Sequence, residues 1–329
     1  MFRKEKMIMK KSFLIPSIAI IALLGFGCGA KALTLSPPTV EITAKPGEKV
    51  EVVAKLFNET NAALDLQPGV YSFSSKNESG QPDFFDDKSG LDLQHWIVVP
   101  SSVTLAPQER QSVVLTINVP KSADPGGHYA SVFWGTTPPK IDGGAGIEGR
   151  IAMLILVNVE GNIKEDAKII EFKTLKSFVT HLPVDFMARF QNNGSVHVHP
   201  AGDIIIRNMF GRQSSVMPFN IQPSTGNVLP RSIRRFDLSW VKGSSNEAAS
   251  EWSKEWNNFA LGRYTAELNV TYGQANKLVI ATASFWVFPW MVSLAGLAVL
   301  IILLFVLRQL IINYNKAIIK KYTQGRVRK

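Results

Sequence analysis

The chain has 329 residues, 46% of them hydrophobic and one a cysteine, and its 36 Lys and Arg against 26 Asp and Glu give a net charge of +10. That excess is terminal: residues 1 to 32 hold six basic and one acidic side chain, residues 308 to 329 hold seven basic, and the span between has 23 basic and 25 acidic. A groove-tracking nucleic-acid footprint is therefore excluded, and a lone cysteine excludes a disulfide framework, so the middle of the chain must be held by hydrophobic cores.

At the N-terminus, Arg3, Lys4, Lys6, Lys10 and Lys11 precede the apolar run from Phe13 to Phe26, and Ala30-Lys31-Ala32 offers an A-x-A cleavage site. These are the three parts of a secretory signal, which assigns residues 1–32 to a signal peptide. Cys28 after Gly25-Phe26-Gly27 leaves lipidation at that cysteine as the alternative. An exported chain with no cysteine beyond Cys28 points to a bacterial envelope, where the N-x-S/T sequons at Asn58, Asn77, Asn193 and Asn269 mean little.

Residues 33–161 read as all-β. Val50, Val52, Ala54 and Leu56 alternate within Lys49 to Phe57, Val113, Leu115, Ile117 and Val119 repeat the pattern, and His128 to Trp134 and Arg150 to Val159 are further strand candidates. Lys45-Pro46-Gly47-Glu48, Leu105-Ala106-Pro107-Gln108 and Asp124-Pro125-Gly126-Gly127 supply the turns. Short strands so spaced imply a β-sandwich.

Residues 162–284 form a second all-β segment, with strands expected near 168–175, 184–191, 203–208, 216–221, 233–240, 262–271 and 278–287. Seven alternating strands enter at one end and leave at the other. The loops 192–202, 222–232 and 273–276 then face the first domain, and the insertion 243–258 faces the membrane. That insertion has a helical composition, with Ser245 as a possible N-cap. Its Trp252 and Trp256 either lie in the headgroup region or plug the bottom of the sandwich core.

Phe285 to Leu307 is an uninterrupted apolar run without a charge, long enough at about 1.5 Å per residue to cross a bilayer. It is expected to be a transmembrane helix, with Trp286 and Trp290 in its outer interfacial belt. The basic tail 308–329, with no Asp or Glu, places the C-terminus in the cytoplasm and everything before the span outside.

Several stretches read together carry a resemblance. They are Leu56-Phe57-Asn58-Glu59-Thr60, Val103-Thr104-Leu105-Ala106-Pro107, Ile117-Asn118-Val119-Pro120, and Asp124-Pro125-Gly126-Gly127-His128-Tyr129-Ala130, with Gly143-Gly144 ahead of an apolar strand. The first domain thereby resembles that of bacterial WxL-interacting proteins and is similar to the immunoglobulin-like N-terminal domain of pilus chaperones. The resemblance implies two tandem immunoglobulin-like β-sandwiches followed by one C-terminal transmembrane α-helix. It also implies a cell-surface binding protein whose first domain meets peptidoglycan and whose second meets a protein partner.

Catalytic patterns are missing: there is no H-E-x-x-H, G-x-S-x-G or P-loop. Gly144-x-Gly146-x-x-Gly149 matches a dinucleotide fingerprint, yet it leads into a strand and so reads as a hairpin loop. His197 and His199 would share a face of an extended segment, but only Asp203 lies near them, an incomplete metal site. Asp83, Asp86, Asp87 and Asp92 around Phe84-Phe85 read as a solvated loop, with a hydrolase pair as a distant third reading. The candidate partner-binding residues are Tyr129 and Trp134 beside the 135–149 loop, His197 and His199, and the basic cluster Arg231, Arg234 and Arg235. Trp252, Trp256, Trp286 and Trp290 are the candidate membrane-interface residues. The expected protein is non-enzymatic and single-pass, with no cofactor, nucleic acid or small-molecule substrate. It binds peptidoglycan or a surface protein near the bilayer; the alternative is a membrane-anchored chaperone or accessory subunit for exported filaments.

Overall fold

A computed structural model describes residues 32–136, 149–221, 226–242 and 250–326. The signal segment with Cys28, the glycines 143, 144 and 146, and Ser245 lie outside the described residues.

Alternation builds the first sandwich. In β3 (Lys49–Asn58) every second side chain is exposed and the intervening Val52, Ala54 and Leu56 are buried. This strand pairs with β1 (Leu33–Ser36) on one side and β8 (Arg110–Asn118) on the other, and β8 carries the short β6 (Ile97–Val98). The facing sheet runs β2 (Thr39–Ala44), β10 (Arg150–Val159), β9 (Gly126–Thr136), β4 (Leu64–Ser75), β5 (Pro82–Phe85), with β7 (Val103–Leu105) also paired to β4. Between β1 and β2 the chain crosses from one sheet to the other at Pro37-Pro38, residues that have no N–H to give a ladder. β2 then lies parallel to β10, from Thr39 opposite Leu154 to Ala44 opposite Val159. Leu66, Leu105, Leu115, Ile117, Trp134 and Met153 fill the space between the sheets.

The second sandwich packs β11 (Ala167–Thr174), β13 (Val184–Asn192) and β16 (Ser232–Trp240) against a five-stranded sheet. That sheet runs β12 (Phe178–Val179), β18 (Lys277–Val287), β17 (Gly262–Tyr272), β14 (Ala201–Asn208), β15 (Gln213–Phe219). All seven expected strands are present within a few residues of their expected limits, and β12 is additional. Pro218 falls in β15, an edge strand, where a missing donor costs no ladder bond on the open side. Phe186, Phe190, Phe219, Trp240 and Phe285 make this core aromatic.

Two helices stand at the end away from the first sandwich. Helix α1 (Glu251–Asn257) is capped by Ser250, whose hydroxyl accepts from the Ser253 N–H (3.3 Å). Trp252 and Trp256 on α1 are 43% and 63% exposed and stack on one another, so they do not plug the sandwich; Trp240, 2% exposed, does. Helix α2 (Trp290–Arg326) contains a candidate membrane span, the 27 residues Trp290–Lys316, whose most apolar 18-residue segment has a mean hydropathy of 2.8 and is unburied. It starts five residues later than the apolar run does. Phe285 and Val287 are the last inward-facing residues of β18, and Pro289 marks the junction, having no N–H for a ladder but a backbone suited to a helix start. An apolar run without periodicity hides such a boundary, because strand core and membrane span ask for the same residues.

Candidate functional site: the cleft between the sandwiches

Of the loops expected to face the first domain, 192–202 and the described part of 222–232 do so. The Gly127 N–H donates to the Ser195 carbonyl (2.9 Å), and the His197 N–H donates to the Tyr129 hydroxyl (2.9 Å). Tyr129 packs with Phe73 and Leu156 in a small apolar cluster that Leu229 of the second domain completes. Burial pushes the Tyr129 phenol up. On the opposite flank, Arg189 Nε donates to Glu78 Oε2 (2.7 Å), a second bond joins Nη2 to Glu78 Oε1, and Nη1 reaches Glu171 (3.2 Å). A bidentate arginine–carboxylate pair of this kind fixes orientation as well as distance. The Arg235 N–H also donates to the Glu78 carbonyl (2.6 Å).

Glu41 on β2 adds a third contact. Its carboxylate lies 3.7 Å from His197 Nε2 and accepts from Asn227 Nδ2. The His197 interaction, opposed by partial burial and helped by Asn227, holds the Glu41 carboxyl down to about 2. A carboxyl depressed in the folded state stabilises it above the unfolded value near 4.5 and loses that contribution as pH falls toward 2. The thermal midpoint of the wild type should therefore exceed that of Glu41→Gln above about pH 4.5, with the gap closing as acid is added. A gap independent of pH would show that Glu41 is not ionised at this interface.

Between these contacts lies a cleft of about 690 Å³, lined by Thr39, Glu41, Phe73, Leu154 and Leu156 of the first domain and by His199, Asn227, Leu229 and Arg234 of the second. Its first-domain wall is the outer face of the β2–β10–β9–β4–β5 sheet, along which aromatic rings meet in series. Tyr71 meets Phe133 at 5.6 Å, Phe133 meets Phe84 at 4.8 Å, Phe84 meets Phe73 at 6.2 Å and Phe73 meets Tyr129 at 5.8 Å. These edge-to-face and tilted contacts hold the rings as a rigid row.

Arg234 closes the cleft. The period-two pattern of β16 places it on the inward face with Phe236, Leu238 and Trp240, but at the strand end beyond the core. Its guanidinium sits between Gly80 and Gly226, either of whose missing Cβ atoms would overlap it, and lies 5.4 Å over the Phe236 ring. Nη1 donates to the Asn227 carbonyl (2.8 Å), while the buried Nε has no acceptor among the described residues. Burial pushes its pKa down, and no carboxylate pairs with it among the described residues. A cation so placed favours an anion arriving from outside.

The other candidates separate. Trp134 is fully buried in the first core and cannot be a contact residue, because its position on β9 has the parity of Val132 and Ala130. Tyr129 and His197 are joined to each other, His199 lines the cleft and meets Asn227 (3.1 Å), and no group of three metal-ligating side chains occurs among the described residues. Arg231 is exposed with φ at 55°, and Arg235 points outward to pair with Asp237 at 2.8 Å. Of the carboxylates in the 83–92 stretch, Asp87 accepts from Ser89 and Asp86 from Gln94 within the loop, and Asp92 caps the turn at Leu93 while facing His128 of β9 at 3.3 Å. Phe73, Phe133, Glu41 and Glu78 were not legible as site residues. The alternation of Tyr71 and Phe73 in β4 was a usable signal, obscured by Pro68-Gly69 within that strand.

No protein-family model matches the chain, and no curated protein does. Among solved structures the chain is similar to the class 5 fimbriae chaperone CfaA, with a TM-score of 0.40 and 13% identity over 77% of this chain and 99% of that one. It is also similar to a chain of the chaperone–tip adhesin complex of CFA/I fimbriae, with a TM-score of 0.38 and 11% identity over 77% of this chain and 98% of that one. A third is the CsuC–CsuE chaperone–tip adhesion subunit pre-assembly complex from Csu pili of Acinetobacter baumannii, with a TM-score of 0.37, 11% identity, and 77% and 98% covered.

Proposed function

We propose that this is a non-enzymatic, membrane-anchored protein of the bacterial envelope that holds a surface partner in the cleft between its two immunoglobulin-like sandwiches. The observation that supports it is the cleft itself, lined both by Phe73, one ring of a packed aromatic row, and by the half-buried Arg234, which pairs with no carboxylate among the described residues. Such a surface suits a partner with a flat apolar or sugar face and an acidic group, as in peptidoglycan or an acidic surface protein. Deep enclosure and a convergent acid–base pair, which catalysis would need, do not enter this reading.

A second reading has its own support. β2 is the edge strand of its sheet, and Thr39 and Glu41 on it border the cleft, so an extended polypeptide could pair with β2 along the margin of the cleft. This is the action of an accessory subunit or chaperone for exported proteins. Sedimentation of the full chain in nanodiscs with purified wall sacculi favours the first reading, and co-purification with an unfolded exported subunit the second. In either case Arg234→Gln should weaken capture about tenfold, as expected for loss of one charge-assisted contact. Capture unchanged by Arg234→Gln would remove the cleft from the account.

A further inference from the structure

We infer that the base of the second sandwich is a lipid-interface surface, with α1 lying in the headgroup layer beside the first turn of α2. Among the described residues nine aromatic side chains are exposed outside α2, and seven of them belong to this one end. Phe178, Phe210, Trp252, Trp256, Phe259 and Phe288 come from five separate segments: β12, the turn between β14 and β15, α1, the approach to β17, and the β18–α2 junction. Their convergence is not a local sequence accident. Phe210 is 85% exposed at a hairpin tip, where water-facing aromatic residues have no packing reason to be.

Two further observations name the occupant. The surface is continuous with α2, whose apolar stretch begins at Trp290, so a bilayer crossed by α2 brings its interface to the height of these rings. Lys176, Arg212 and Lys242, all exposed at the same end, suit anionic headgroups. Glu255 then ties the two helices together: 1% exposed, it accepts from the Val292 N–H (3.0 Å), one of the N–H groups that the first turn of α2 leaves without an internal partner. With only Phe288 and Pro289 between β18 and α2, the sandwich stands at a fixed height and tilt on the membrane.

This inference rests on α2 crossing the bilayer, and the test separates the two. In a Cys28→Ser background, nitroxide labels are placed at Trp256→Cys, Phe210→Cys, Leu297→Cys in α2 and Leu91→Cys in the first domain. Collisions with oxygen and with a water-soluble nickel chelate are then measured for the full chain in phosphatidylcholine–phosphatidylglycerol nanodiscs. Labels at 256 and 210 should favour oxygen several-fold over the label at 91 and approach the label at 297. Labels at 256 and 210 as open to nickel as 91, with 297 shielded, would overturn the docking and leave the span intact. Nickel access at 297 would overturn both, and dipolar broadening between labels at 256 would assign the surface to a second copy instead. Phe210, the most exposed of the set, tolerates the label even if Trp256→Cys disturbs α1.

Discussion

Replacing Phe285 by alanine should destabilise the second sandwich by about 3–5 kcal/mol, the range for removing a buried aromatic ring whose neighbours cannot close the space. Phe285 is 1% exposed and touches three other rings of the core: it stacks on Tyr264 (5.8 Å) and meets Phe186 (5.6 Å) and Trp240 (6.0 Å) edge-on, and Tyr264 in turn meets Trp240 (5.4 Å). A loss of that size is a large share of a domain's net stability of about 5–15 kcal/mol. Thermal unfolding of the full chain in detergent, followed by near-ultraviolet circular dichroism, should show a separate early transition. Leu297→Ala, on the exposed surface of α2, should leave the sandwich transition where it was. Were the two substitutions equally silent, Phe285 would belong to the apolar anchor and not to the core.

Asn58→Ala should cost about 3 kcal/mol or more in the first sandwich, since each buried polar group left unpaired costs roughly 1–3 kcal/mol. Asn58 is fully buried at the end of β3. Its Nδ2 donates to the carbonyls of Ala62 (2.8 Å), Leu105 (3.2 Å) and Ala106 (2.9 Å), and its Oδ1 accepts from the Thr60 N–H (2.9 Å) and hydroxyl (2.6 Å). One side chain therefore pins the loop after β3 to the loop after β7. Asn58→Asp keeps the acceptor and loses the donors, so at neutral pH it should be no better than alanine. Denaturant unfolding of both variants checks this, and a cost under 1 kcal/mol for either would show that water replaces the lost bonds. Asn192 does the same work at the end of β13, donating to Val196 (2.8 Å) and Val228 (2.9 Å) and accepting from Gly194 (2.8 Å). Those two asparagines give the motifs Asn58-Glu59-Thr60 and Asn192-Asn193-Gly194 a physical meaning: each closes a sandwich end.

The strands of the second domain were legible because each carries its own period-two pattern, with turn residues between. β4 was not: Pro68 and Gly69 break its alternation, and the strand continues through them because its pairing with β9 runs unbroken from Leu66 to Ser72. β2 was hidden for another reason. Its short alternating run gains a place in the sheet only by lying parallel to β10, more than a hundred residues later in the chain. Trp252 and Trp256 have the spacing of a core-facing pair, and only the presence of Trp240 in that core shows that no room remains for them.

Taken alone, the order of residues determined the number of sandwiches, most strand limits, the terminal placement of charge and the existence of an apolar helix, since all of these depend on patterns within ten to thirty neighbouring positions. Tertiary structure decided where β18 ends and α2 begins, that Trp134 is core, and that Arg234, Glu41 and Phe73 share one cleft. Those outcomes follow from how segments far apart in the chain are brought together, and no local period encodes a distance across a sheet or between two domains.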